Sequence, residues 1–184
     1  MRTPDKSPLF EQLVLPHLDA AYNLARWLLR NDQDAQDIVQ EATLRAYRFI
    51  HDFQGTDARG WLLTIVRNCA YSWLRRQRTG GVMMEFNEEL HSMNVAMPFE
   101  NHASRAGNPE TLVIRQRETQ RIRAAIENLA VEFREVVVLR DIEGLSYKEI
   151  AEIAGVPMGT VMSRLARGRQ QLQQQLCEPL NEDG

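Results

Sequence analysis

The sequence predicts an all-α protein in which two small helical domains are joined by a flexible acidic linker. Two observations carry this prediction. Apolar residues recur at spacings of three and four within residues 9–78 and again within 111–176, and no segment alternates with the period of two that is typical of a strand. Residues 79–110 show no sustained period and contain Gly80, Gly81 and Pro98, a composition typical of a linker.

Length and composition exclude several classes of protein. A chain of 184 residues has room for one ordinary domain or two small ones. No apolar run approaches the roughly 20 residues needed to cross a bilayer, and the polar start resembles no signal peptide, so we expect no membrane insertion. The only cysteines are Cys69 and Cys177, without a CxxC or CxxxC spacing. That usage disfavours a disulfide scaffold or a thiolate metal site and favours a reducing cytoplasm.

The net charge of −3 argues at first against a nucleic-acid-binding protein, because such proteins usually carry a basic excess. The charge is unevenly distributed, however. Residues 1–78 hold 11 basic and 9 acidic side chains, the linker holds 1 and 5, and residues 111–184 hold 10 and 11. Lys6 and Lys148 are the only lysines among 22 basic residues. The net charge is therefore the sum of segments with opposite charge, and the linker supplies most of the acidic excess.

Three helical segments are predicted in the first domain. Apolar periodicity continues from Phe10 to Leu28, a second helix runs from about Asp34 to Phe49, and a third runs from about Arg59 to Arg76. The polar loop 52–57 separates the last two. The inward stripe predicted for the second helix consists of Ile38, Val39, Ala42, Ala46 and Phe49.

The outer arc of the second helix has two interpretations. It carries Asp34, Asp37, Gln40, Glu41 and Leu44. Acidic residues near a helix N-terminus favour the helix dipole, which is a purely structural explanation. An acidic face around an exposed leucine is equally what a protein docking site presents. The residues alone do not decide between the structural explanation and the docking site.

The third helix carries a basic outer arc. Five arginines and no acid occur from Ala58 to Met84. Arginines interleaved with a tyrosine suit phosphate contact and base stacking, which are the contacts of single-stranded recognition. The nearby loop between two aromatic residues has the composition needed to receive an extruded base, although those aromatics also fit a core role. The predicted nucleic-acid residues are Phe53, Gln54, Gly55, Thr56, Asp57, Trp61, Arg67, Asn68, Tyr71, Arg75 and Arg76.

A helix-turn-helix is predicted at residues 146–169. Ser146 and Glu149 have capping-box spacing, Gly155 supplies the tight turn, and Pro157 fits the first turn of the next helix. The second helix has an inner stripe of Val161, Leu165, Gly168 and Leu172, with three arginines and no acid from Pro157 to Leu176. Its outer arc could be a solvated polar face, but behind this turn we predict DNA contact. The residues are Thr160, Ser163, Arg164, Arg167 and Gln171.

These motifs together resemble bacterial sigma factors of the sigma-70 family, in the extracytoplasmic-function group. Residues 34–47 resemble region 2.2, the polymerase-docking helix, and residues 61–76 resemble regions 2.3 and 2.4, which melt and read the −10 element. Residues 133–167 resemble region 4, the −35 reader. The sequence departs from the family pattern at Ser72, where an aspartate is frequent, and at Met162, where a lysine is frequent.

The resemblance implies a role for each face. Asp37, Gln40, Glu41 and Leu44 would meet the polymerase clamp helices, and the loop 53–58 would capture a flipped −10 base. Arg67, Asn68, Arg75 and Arg76 would hold the non-template strand, and Thr160, Ser163, Arg164 and Arg167 would contact the −35 element. The linker would thread toward the polymerase active site.

The resulting hypothesis is a promoter-specificity subunit with sigma region 2 at residues 9–78, a linker at 79–110 and sigma region 4 at 111–176. Its expected partners are core RNA polymerase, promoter DNA and an anti-sigma factor. No catalytic residue, cofactor or metal site is expected, because no P-loop, Ser/His/Asp set or spaced histidine ligand pair occurs. The alternatives are a free-standing helix-turn-helix regulator and an inactive paralogue that binds polymerase without initiating transcription.

Overall fold

The computed structural model describes residues 6–79 and 109–177. The first range forms one helical domain with α1 (Ser7–Leu13), α2 (Leu18–Leu29), α3 (Asp32–Phe49) and α4 (Ala58–Arg78). The second range forms another with α5 (Pro109–Glu127), α6 (Val131–Val137), α7 (Tyr147–Ala154) and α8 (Met158–Cys177). No strand occurs within these ranges, which confirms the predicted fold class. Most of the predicted linker, residues 80–108, lies outside the described residues.

The core of the first domain lies where α2, α3 and α4 pack together. Its largest side chains are at most 2% exposed, and burying each such side chain contributes about 1.5–3 kcal/mol. They include Leu24, Leu28, Ile38, Leu62 and Val66. Side-chain caps fix where the two longer helices begin. Asn31 accepts a hydrogen bond from the Asp34 amide at 3.0 Å, and Asp57 accepts one from the Gly60 amide at 2.9 Å.

Two details of the first domain differ from the sequence prediction. The segment from Phe10 to Leu28, whose apolar residues are periodic, is not one helix. The chain forms a 3₁₀ turn at Leu15–His17 around Pro16, which has no amide hydrogen to donate. Phe49 was predicted to point inward but is 56% exposed. The backbone tightens into a second 3₁₀ turn at Ile50–Asp52 directly after it, and Ile50, at 0% exposed, takes the inward position.

The second domain contains the predicted helix-turn-helix. The Ser146 hydroxyl accepts a hydrogen bond from the Glu149 amide at 3.3 Å, and the Glu149 carboxylate accepts one from the Ser146 amide at 2.7 Å. Gly155 adopts φ +65° at the end of α7, where a side chain would be strained. The capping box and the turn are therefore confirmed.

The helix α8 packs closely against α6 through the predicted inner stripe. Val161 and Leu165 are at most 2% exposed, and Gly168 is buried. A β-carbon added at Gly168 would lie 2.9 Å from a methyl group of Val137. A larger residue there would push the two helices apart. The apolar run 136–139, at the end of α6 and directly after it, is fully buried, as predicted.

Within residues 6–79 and 109–177, no helix has the length and apolarity required for a membrane span.

Candidate nucleic-acid and polymerase interfaces

The outer face of α3 is solvent-accessible and mixes acidic with apolar side chains. Asp37, Gln40 and Leu44 are exposed, while Asp34 and Glu41 are half-buried. Glu41 forms an ion pair with Arg45 one turn later, at 2.5 Å. Leu44 is 38% exposed. The five residues predicted for docking thus share one accessible face of α3.

The face extends further along α3 than the predicted site. Tyr47 is 39% exposed, its ring meets Phe10 edge-on with centroids 5.3 Å apart, and Lys6 lies above it at 5.9 Å. Phe49 is exposed as well, but it lies two residues after Tyr47 and therefore on a different side of α3. Its exposure was missed because its position on the helical wheel had indicated burial.

The loop before α4 is shaped by its aromatic and glycine residues. The rings of Phe53 and Trp61 lie 4.9 Å apart at a tilt of 35°, and both residues are half-buried. A β-carbon at Gly55 would lie 3.0 Å from the Phe53 ring. One at Gly60 would lie 2.2 Å from a carboxylate oxygen of Asp57, which caps the helix. Gly55 in the loop therefore leaves room for the Phe53 ring, and Gly60 in the first turn of α4 leaves room for the Asp57 cap.

A recess of about 350 Å³ adjoins this loop and is shared by both domains. The first domain contributes Thr56, Trp61 and Thr64 to its lining. The second domain contributes Glu149 and Glu152 from α7. Acidic side chains therefore line the place where the sequence predicted a nucleobase.

The basic face of α4 also meets the second domain. The Glu135 side chain is fully buried and accepts hydrogen bonds from the Arg67 guanidinium and, at 2.9 Å, from the Tyr71 hydroxyl. Arg67 also stacks over the Tyr71 ring, 4.3 Å from its centroid. Burial, and then the Glu135 carboxylate, raise the pKa of Tyr71 well above its ordinary value.

The rest of that face remains open. Asn68, Arg75 and Arg76 are exposed, and a second recess of about 370 Å³ is lined by Arg67, Asn68, Tyr71, Ser72 and Arg75. The sequence predicted one continuous exposed arc. In the structure this arc has an accessible end and a part that Glu135 covers. The covering was not predicted because Glu135 lies in the other domain.

Further polar contacts join the domains around Glu135. Buried Arg134 donates to the Leu28 carbonyl at 3.1 Å across the boundary, and burial lowers its pKa to about 10. Arg59 forms a 2.6 Å ion pair with Glu143, which also accepts a hydrogen bond from Asn23 at 3.3 Å. These bonds hold α2 and α4 against the second domain.

The accessible side of α8 is offset from the predicted arc. Ser163 and Arg167 are exposed as expected, but Thr160, Arg164 and Gln171 are half-buried. Met158 and Met162 are each 51% exposed, and Ala166 is exposed as well. The predicted arc contains neither methionine because only polar side chains were assigned to it, although Met162 stands where the family frequently has a lysine.

The comparisons with known proteins match both domains. Residues 13–79 match the Sigma-70 region 2 family, and residues 119–172 match Sigma-70, region 4. An RNA polymerase sigma-H factor of Pseudomonas aeruginosa is 32% identical over 94% of this chain and 89% of its own. The chain belongs to the extracytoplasmic-function (ECF) sigma factors of the sigma-70 family. The ECF sigma-E factor of Escherichia coli K12 is 35% identical over 74% of this ECF factor and 71% of its own length.

A longer relative and two solved structures agree with this placement. The ECF sigma factor SigE of Mycolicibacterium smegmatis is 39% identical over 95% of the chain, which spans only 64% of that relative. The sigma factor RpoE of Bartonella quintana, solved with the anti-sigma factor NepR, superposes with a TM-score of 0.66 and 28% identity. It covers 91% of this chain and 96% of its own. CnrH, solved with the cytosolic domain of CnrY, gives 0.60 and 25%, covering 91% and 86%.

Proposed function

We propose that this ECF sigma factor binds core RNA polymerase and directs it to promoters whose −35 and −10 elements its two domains read. The factor acts in the cytoplasm and is not itself a catalyst. The observation that carries the proposal is the ordered pair of sigma-70 matches, region 2 at residues 13–79 and region 4 at 119–172. The three faces described above supply the surfaces that such a subunit needs.

The accessible α3 face is the proposed polymerase contact. An exposed leucine within an acidic surface supports docking to a basic or mixed protein helix. The residues are Asp34, Asp37, Gln40, Glu41 and Leu44. This face remains accessible while the domains are packed together, so polymerase can bind before the domains separate.

The α4 face and its loop form the proposed −10 site. Phe53 and Trp61 provide stacking surfaces for an extruded base, and the loop 54–57 provides polar edges. Arg67, Asn68, Tyr71, Arg75 and Arg76 would follow the phosphate backbone of the melted strand. The −35 site would use Thr160, Ser163, Arg164, Arg167 and Gln171 in the major groove.

The packed arrangement is not competent to bind the −10 element through all of these residues. Glu135 is hydrogen-bonded to Arg67 and Tyr71, and α7 places two glutamates beside the base-capture loop. We therefore propose that the domains separate when polymerase binds. An anti-sigma factor that keeps them together would hold the protein inactive, and both structural relatives named above were solved with such a partner or a partner domain.

Run-off transcription with purified core polymerase tests the proposal. The full chain should give promoter-dependent transcripts, and core alone or the full chain alone should give none. Tight binding of the free protein to a palindromic duplex, without any promoter-dependent transcript, would instead identify a helix-turn-helix regulator. Co-purification with polymerase without promoter selection would identify an inactive paralogue.

A further inference from the structure

Two exposed methionines lie on the recognition helix of the second domain and pack against no core. Met158 and Met162 are one helical turn apart on α8 and are each 51% exposed. Residues four apart on a helix are neighbours on its surface. Together they present a small apolar surface on a helix that otherwise exposes polar and small residues.

The residues around this pair favour DNA as the molecule that covers it. The helix α8 contains Arg164, Arg167 and Arg169 and no acid. Ser163 and Arg167 are also exposed on α8, and the small, exposed Ala166 lies one turn after Met162. A positive helix with an apolar patch near its N-terminus complements a polyanion that presents an apolar group.

The major groove presents one such group. Among the base edges exposed there, only thymine carries a methyl group, and apolar side chains discriminate thymine through it. Recognition helices contact base edges with their N-terminal residues, where Met158 and Met162 lie. Methionine is unbranched and polarisable, so its thioether can follow the position of a methyl group without strain.

We propose that Met158 and Met162 read thymine methyl groups in the −35 element and so form part of the promoter specificity of this chain. The inference rests on the proposed function, since it requires that α8 enter the major groove. It goes beyond the polar residues assigned to that site, because it adds an apolar component and names the base that this component selects.

The test uses holoenzyme assembled from core polymerase and the full chain. Transcription from a library with a randomised −35 region first defines the preferred bases. Each thymine of the selected element is then replaced by deoxyuridine, which lacks only the methyl group. At one or more positions we expect initiation at limiting holoenzyme to fall about fourfold, the value of one buried methylene-sized group.

Variants connect the effect to the two side chains. Met158→Gln and Met162→Gln keep the length of the side chain but remove its apolar character, so each should lose the response to deoxyuridine at its own position. Met162→Leu should retain it. Ile122→Gln changes a residue of α5 that is similarly exposed, at 47%, and serves as the matched control with an unaltered response.

Each outcome decides between the two proposals. Promoter-dependent transcription in which no thymine-to-deoxyuridine change matters, or in which the glutamine variants respond like the unaltered protein, overturns this inference and leaves the proposed function standing. Absence of any promoter-dependent transcript overturns the proposed function and this inference with it.

Discussion

The hydroxyl of Tyr71 donates a 2.9 Å hydrogen bond to the carboxylate of Glu135, across the boundary between the two domains. Glu135 is 0% exposed, so this carboxylate depends on its partners for the stabilisation that water would otherwise give. Arg67 supplies the compensating charge. A side chain of the second domain therefore binds two residues of the first domain that we propose as DNA contacts.

Glu135→Gln should favour separation of the domains. Hydrogen bonds to charged groups contribute about 1.5–3 kcal/mol, so we expect affinity of the free full chain for a single-stranded −10 oligonucleotide to rise by about tenfold. Fluorescence anisotropy measures the affinity, and small-angle scattering should show a larger radius of gyration. Glu132→Gln, on the same helix, is the control. Unchanged affinity, with an intact helical circular-dichroism spectrum, would show that Glu135 does not restrict DNA binding.

Glu41→Arg should weaken binding to core polymerase. The change reverses the charge at the centre of the α3 face and also removes the ion pair with Arg45. Because both side chains of that pair are partly exposed, its loss should alter the free energy of unfolding by less than about 1 kcal/mol. Competition against a labelled sigma factor measures core affinity. Asp19→Arg reverses an exposed charge on α2 as the control, and equal core affinity of the two variants would reject the docking face.

Arg167→Ala should reduce −35-dependent initiation by a factor equivalent to about 1–3 kcal/mol if the side chain reads a base edge. Arg167 is exposed and available. The matched control is Arg169→Ala on the same helix, since Arg169 is already held by Asp141 through bonds of 3.1 and 2.5 Å. Promoter-library transcription measures both variants, and a larger loss from the control would exclude Arg167 as the reader.

The two cysteines should differ in reactivity. Burial raises the pKa of the Cys69 thiol from 9.0 to about 11, whereas Cys177 is exposed. Iodoacetamide at pH 8 should therefore modify Cys177 in the native protein and reach Cys69 only after unfolding. Peptide mass spectrometry distinguishes the sites. Equal labelling rates in the native protein would contradict the buried position of Cys69.

The same pKa shift gives a pH dependence of stability. The unfolded thiol ionises first as pH rises above 9.0, while the folded thiol stays protonated until about pH 11. The unfolded state is thereby favoured, and the contribution of Cys69 to the free energy of unfolding is full below pH 9 and is lost toward pH 11. Cys69→Ala should weaken the pH dependence in this window, as chemical denaturation at several pH values would show.

Local sequence signals predicted the helix-turn-helix well. Ser146 with Glu149, Gly155 and Pro157 act within a few residues of one another, so their structural effect can be worked out without the rest of the fold. The same holds for the inner stripe of α8, where periodicity alone identified Val161 and Leu165. Periodicity failed at Pro16 and Phe49, because 3₁₀ turns there change the number of residues per turn.

The contacts between domains were not predictable in this way. Glu135 lies beside the apolar run Val136–Leu139, and its nearest charged partner, Arg67, is 68 residues away in the sequence. A helical wheel assigns each helix an inner and an outer face but does not show that another domain covers part of the outer one. The site residues themselves remain predictions, although their faces are now located.

The burial of Glu135 also determines how ionic strength affects this factor. Salt weakens exposed charge pairs far more than enclosed ones, so the bond between Glu135 and Arg67 should persist as salt rises. Phosphate contacts behave oppositely, since each arginine that binds DNA releases counterions and loses affinity as salt increases. Under the proposed function, the Glu135 carboxylate and a DNA phosphate would compete for the Arg67 guanidinium. Rising salt should then favour Glu135, and promoter opening should become less favourable as ionic strength increases.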